Sequence, residues 1–170
     1  MKYEEFLDGR MTPRCGGNAQ SDPRRALEIG KAAEHLVVAD LILSGHRAFL
    51  TDQGLPYDVV FDHNGRLFRV QVKSTTKPRA VPDRPGSAPA YFFNVRRSGK
   101  GAARIIGNDE FDLLALVALD IREVAYLKMG VKVLQTIHIS APGSSKTHAN
   151  RTRDNFDEYP LSRVLKELGQ

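Results

Sequence analysis

Four side chains in the first half of the chain have the types and spacing for chemistry on an anionic ester: Glu34, Asp58, Gln71 and Lys73. A carboxylate and an amide oxygen can hold a hard divalent cation. Mg2+ is usually bound through one or two carboxylates, with waters and substrate phosphate filling the other positions. Held beside a phosphodiester, such a cation stabilises charge at phosphorus and promotes attack by water. An ammonium such as Lys73 can orient or deprotonate that water and offset the developing negative charge. The plainer alternative is a half-exposed Asp58–Lys73 ion pair, Gln71 in water and Glu34 reaching for solvent. Such surface pairs contribute little.

The elements that must place these groups are legible nearby. "LPYDVVFDHNGRLFRVQVKST", residues 55–75, reads as two strands about an Asn64–Gly65 turn. Asn-Gly is the preferred centre of a two-residue type I′ hairpin. That turn sets His63 opposite Arg66 and, further along, Asp58 opposite Gln71. Lys73 lies two residues on and therefore on the same face. The other face carries Val59, Phe61, Phe68, Val70 and Val72, a complete apolar set. The polar triple is not needed for the core.

Upstream, "SDPRRALEIGKAAEHLVVADLILSGH" reads as a helix with Asp22 as N-cap, Pro23 at the first helical position and Gly45 as the stop. Glu34 shares a wheel sector with Leu27, Val38 and Leu41. A carboxylate in an apolar stripe is costly unless it is paired, hydrogen-bonded or bound to a metal. If the stripe packs on the hairpin, Glu34 can reach the edge of the Asp58/Gln71/Lys73 cluster.

Downstream, residues 76–89 are proline-rich loop. "AYFFNV", "FDLLALVAL" and "REVAYL" read as strands, "VKVLQTIHI" is a weaker strand candidate, and "PLSRVLKEL" is a short amphipathic helix. A helix, a run of strands and a final helix argue for an α/β or α+β domain with a mixed sheet. Residues 1–21 read as a flexible arm and 22–140 as the main domain. Residues 141–170 read as a basic linker and a helix that packs on that domain or on a second subunit.

Charge points to the partner. The chain carries a net charge of +5, and from His63 to Arg104 Asp83 is the only acid among many lysines and arginines. Such a concentration suits a phosphate backbone. Lys77, the loop residues Arg96, Arg97, Lys100 and Arg104, and Arg151 and Arg153 further on are the candidate DNA contacts. The 170 residues include 41% hydrophobic and 26% charged residues, ordinary for a globular domain. No run of about 18 apolar residues is present, so no membrane span is expected. Cys15 is the single cysteine, which excludes an internal disulfide and fits a cytoplasmic location. The five histidines do not cluster at zinc-like spacing.

Asp58, then Gln71-Val72-Lys73, preceded by a helical Glu34, resembles the PD-(D/E)XK nuclease superfamily. "YDVVFDHNGRLFRVQVKST" is similar to a small endonuclease group within it that includes an intron-encoded homing endonuclease and reads V-Q-V-K on this strand. The likeness spans about residues 28–127. It implies a restriction-endonuclease-like mixed sheet flanked by helices, with Asp58, Gln71 and Glu34 at a Mg2+ (or Mn2+) site and Lys73 beside it. Tyr57 stands where the superfamily's proline would be, and Gln71 where an acid is usual, which removes one negative charge from the site. The expected activity is metal-dependent hydrolysis of phosphodiester bonds in double-stranded or branched DNA, by a homodimer or higher homo-oligomer, since a duplex has two strands. The alternatives are a structure-specific nuclease of the Holliday-junction type and a non-catalytic DNA-binding protein that keeps the fold.

Overall fold

The computed structural model describes residues 23–82, 88–95, 110–129, 136–144 and 154–169. Helix α1 spans Pro23–Leu43. Its buried residues Ala33, Val37 and Leu41 recur every four positions, so one narrow stripe faces the sheet. The stop falls at Gly45, as the sequence indicates. The Gly45 N–H donates to Ile42 (3.0 Å) and the His46 N–H to Leu41 (3.0 Å). Gly45 sits at φ 90°, the left-handed geometry of this pair of closing bonds. One expectation fails at the other end. Leu27 is 70% exposed and not part of the packed stripe. Burial begins only at Ala33, so the first two turns of α1 extend past the packed core. Asp22 lies outside the described residues.

Strands β1 (Arg47–Leu50), β2 (Val59–His63), β3 (Arg66–Thr75), β5 (Leu113–Ala118) and β6 (Glu123–Lys128) form one sheet in the order β1-β2-β3-β5-β6. β4 (Ala90–Asn94) pairs with β7 (Thr136–Ser140) in a second, two-stranded sheet. In the larger sheet β3 and β5 are parallel and all other neighbours antiparallel. The intervening chain must therefore cross over, and it contributes β4 on the way. The hairpin has the register set by its turn, with His63 opposite Arg66 and Val59 opposite Val70. Asn64 (φ 56°) and Gly65 (φ 79°) are both left-handed, as a type I′ turn requires. The Gly65 N–H also donates to Asp62 Oδ1 at 2.8 Å.

Two cores sandwich the sheet. On one face Val59, Phe61, Phe68, Val70, Val72, Leu113, Ala115 and Val117 pack against Ala33, Val37 and Leu41 of α1 and against Leu161 and Val164 of α2 (Leu161–Leu168). Tyr126 joins this core and donates its hydroxyl to Asp40 Oδ2 at 2.7 Å, tying α1 to β6. Burial pushes the Tyr126 phenol up, reinforced by that bond and the Asp40 charge, so it stays a donor. On the other face Leu114, Leu116, Ala118 and Ala125 pack under Tyr91, Phe93, Ile139 and Phe156, the last from a 3-10 turn at Phe156–Glu158. The result is the mixed sheet flanked by helices that the sequence indicates, with both described helices contributing to one core. Among the described residues no helix is long and apolar enough to cross a membrane.

Candidate active site

Asp58 is the hub of the site, and the local backbone explains its position. β2 begins at Val59, while β3 runs on to Thr75. Beyond the end of β2, the Val72 N–H of β3 needs an acceptor. Asp58 supplies it with its side chain: Val72 N donates to Asp58 Oδ2 at 2.7 Å. The Asp58 backbone is held on both sides. Its N–H donates to the Val70 carbonyl (2.9 Å) and its carbonyl accepts from the Thr51 N–H (3.0 Å). Thr51 Oγ1 also donates to the Tyr57 carbonyl at 2.7 Å. The carboxylate is therefore fixed by the splaying of two strands, where the antiparallel ladder gives way.

Gln71 meets Asp58 as the register demands. Its side-chain amide donates to Asp58 Oδ2, the same oxygen that Val72 uses. Among the described residues Asp58 Oδ1 accepts no hydrogen bond, so one oxygen of a half-buried carboxylate remains open to a ligand. Lys73 is half-buried on the same face of β3. Burial pushes the Asp58 carboxyl above its usual range. The bond from Val72 opposes that shift, the Glu34 charge adds to it, and the Lys73 and Lys31 charges counter it. All four sequence candidates thus act on one point, although no direct contact joins Glu34 to Gln71.

The helix reaches the cluster from its edge. Gln71 and Lys73 lie beside Leu114 and Leu116 on the face away from α1. Glu34 comes from α1, on the other side of the sheet, and its charge acts on Asp58 just before the start of β2. Both line a cleft of about 320 Å³ between the exposed start of α1 and the turn Thr51–Leu55. Glu34 is not a lone carboxylate in an apolar stripe. Its side chain is 13% exposed and pairs with Lys31, Nζ to Oε2 at 2.6 Å. Lys31 was not singled out from the sequence. The available signal was its i, i+3 relation to Glu34, which places both on one side of a helix.

Asp112 is a positioning residue for the same strand. Its Oδ2 accepts from the Arg69 N–H (2.8 Å) and Nε (3.2 Å), and its Oδ1 from Nη2 (3.1 Å). The Asp112 N–H in turn donates to the Arg69 carbonyl at 2.9 Å. This forked clamp locks β3 against the start of β5 two residues before Gln71. Of the candidate DNA contacts, Lys77 is exposed just after β3. Arg96, Arg97, Lys100, Arg104, Arg151 and Arg153 lie outside the described residues. Among the described residues no three His, Cys, Asp or Glu side chains gather as a metal cluster. Glu34, Asp52 and Asp58 are the carboxylates that line the cleft, and the neutral Gln71 lies against Asp58.

No protein-family profile and no curated protein matches the chain. Among solved structures, a bacterial homing endonuclease, I-Ssp6803I, matches with a TM-score of 0.57 at 19% sequence identity. The match covers 83% of this chain and 90% of that one. At that identity the likeness is one of fold.

Proposed function

We propose that this protein is a metal-dependent DNA endonuclease of the PD-(D/E)XK type. The observation that carries the reading is Asp58. It is a desolvated carboxylate with one open oxygen, hydrogen-bonded to Gln71, next to a second carboxylate and in the field of Lys73. The fold likeness to a homing endonuclease supports the same reading.

The donor set suits Mg2+ or Mn2+. Asp58 Oδ1, Glu34 and the Gln71 amide oxygen are hard oxygen donors, and the crowding of two carboxylates is a charge that a cation relieves. When bound, such a cation offsets negative charge developing on the phosphate oxygens and makes water a better nucleophile near neutral pH. The remaining work falls to the chain. In the state described, Gln71 turns its N–H toward Asp58, so a half-turn of the amide brings its oxygen to the same place. Val72 keeps Asp58 Oδ2 in position throughout. Lys73 donates hydrogen bonds to the attacking water or to a phosphate oxygen, and its charge is on the side where the negative charge grows. Lys77 and the arginines of the basic segments would follow the DNA backbone. Two active sites, and so two subunits, serve the two strands of a duplex.

The test is incubation of supercoiled, linear and branched DNA with Mg2+, with Mn2+ and with EDTA. Cation-dependent nicking that disappears in Asp58→Ala and Lys73→Ala, with DNA binding retained, supports the assignment. Undiminished cleavage by both variants defeats it. Cleavage of four-way junctions alone marks a structure-specific enzyme. Salt-dependent binding with no cleavage marks a DNA-binding module, a reading favoured only by the neutral Gln71.

A further inference from the structure

We infer that Lys31 is the site's internal counter-cation, holding Glu34 while DNA is absent and transferring to a backbone phosphodiester when DNA binds, so that DNA and the divalent cation bind cooperatively. This rests on the endonuclease reading and adds a residue and a coupling to it.

Three observations converge on Lys31. Its ammonium lies 2.6 Å from Glu34 Oε2, one helical turn away on the exposed start of α1. Lys31, Glu34 and Asp58 line the same cleft, so the ammonium lies where a phosphate entering that cleft would meet it. Lys31 and Asp58 also feel each other's charge, so the contact with Glu34 is part of the site's electrostatics.

The charge count gives the consequence. Glu34, Asp58 and Asp52, which lines the same cleft, contribute three negative charges, and Lys31 and Lys73 two positive ones. Gln71 adds none where an acid would make the site more anionic. A divalent cation approaching the DNA-free site meets an attraction that Lys31 and Lys73 largely offset, and Lys31 already occupies one oxygen of Glu34. A phosphodiester changes both conditions: it brings negative charge, and it offers the ammonium another anion. The partners are unequally free to move. The Glu34 side chain is 13% exposed, whereas that of Lys31 is 44% exposed and carries its charge on a flexible stem. Lys31 is the group that can change partners. Because coupling is reciprocal, whatever factor DNA adds to cation affinity, the cation adds to DNA affinity.

The experiment uses the full chain and two equilibrium readouts. Mn2+ alone is titrated without DNA by electron paramagnetic resonance of the free ion. A short random-sequence duplex is then titrated by fluorescence anisotropy at low salt, with Ca2+ or with EDTA. For Lys31→Met, a good helix former at an exposed position, the expected result is Mn2+ binding about fivefold tighter than wild type, the lower end of ordinary coupling. The gain in DNA affinity on adding Ca2+ should shrink by the same factor. Lys31→Arg keeps the charge and should behave as wild type in both. If Lys31→Met matches wild type in Mn2+ affinity and in Ca2+ enhancement, Lys31 has no such role, while the endonuclease reading stands. If Mn2+ binds neither wild type nor Lys31→Met any better than it binds Asp58→Asn, with and without DNA, the endonuclease reading falls and takes the inference with it.

Discussion

β5 and the open end of the hairpin belong to one sheet and follow opposite rules. Every residue of β5, Leu113 to Ala118, is buried. Helices cover one face and the β4–β7 layer the other, so no position on β5 is left for a charge. β2 and β3 bury only alternate residues. Register puts Gln71 beside Leu114 and Lys73 beside Leu116, so the same face passes from polar to apolar across a single strand boundary. A sheet can carry functional groups where one face is uncovered and strands end unequally, because there a side chain can replace a missing backbone partner. Asp58 does this for Val72. The covered strand supplies the rigidity, and Asp112, at its mouth, transmits it to β3 through Arg69.

The sharpest way to break this contrast is to exchange the costs. Asp58→Asn should lower cleavage by about a thousandfold, the rate equivalent of about 4 kcal/mol of lost transition-state stabilisation. Its melting temperature should not fall. Asp58 has a raised carboxyl pKa in the fold, so its ionisation opposes folding once the pH has risen through that value, and a neutral isostere removes the penalty. A clear drop in melting temperature would mean that Asp58 is structural. Leu113→Ala should do the reverse, losing about 3 kcal/mol in urea unfolding while cleavage well below the transition stays within about tenfold of wild type. Loss of activity without loss of stability at Leu113 would erase the division between the two regions.

Smaller effects sharpen the comparison at its boundary. Burial pushes the Asp112 carboxyl up, but the Arg69 hydrogen bonds and the Arg69 and Arg66 charges outweigh it, and the net shift is downward. A depressed carboxyl pKa contributes stability that is present above the ordinary value of 3.8 and is lost as pH falls through the lower folded value. Asp112→Asn should therefore be less stable than wild type at neutral pH, by about 1 kcal/mol after allowance for partial exposure. The difference should close in acid below that window. A difference independent of pH would assign Asp112 a packing role only. The least effect is expected at Lys77, where Lys77→Ala should weaken DNA binding on all sequences alike and lower the slope of log affinity against log salt by about one. An unchanged slope would remove Lys77 from the interface.

How much of this was legible in the sequence follows from the range of each interaction. The Asn64–Gly65 turn fixes the register over its own neighbourhood, so Asp58 opposite Gln71, with Lys73 on the same side, can be read from spacing alone. The end of α1 at Gly45 and the apolar hairpin face are legible for the same reason. Helical periodicity was a weaker guide to α1. It grouped Leu27 with the packed stripe, but period describes only which residues share a side, and where the sheet lies decides how many turns of that side are covered.

By itself, then, the sequence determined the hairpin, its polar row and the helix stop, because turn chemistry and side-chain alternation act over a few residues. Only the tertiary structure decided that Glu34 arrives from the other side of the sheet near the start of β2, that Lys31 holds it, and that Asp112 clamps Arg69 from 43 residues away. Those contacts depend on which surfaces close against each other, and local spacing is compatible with several ways of closing them.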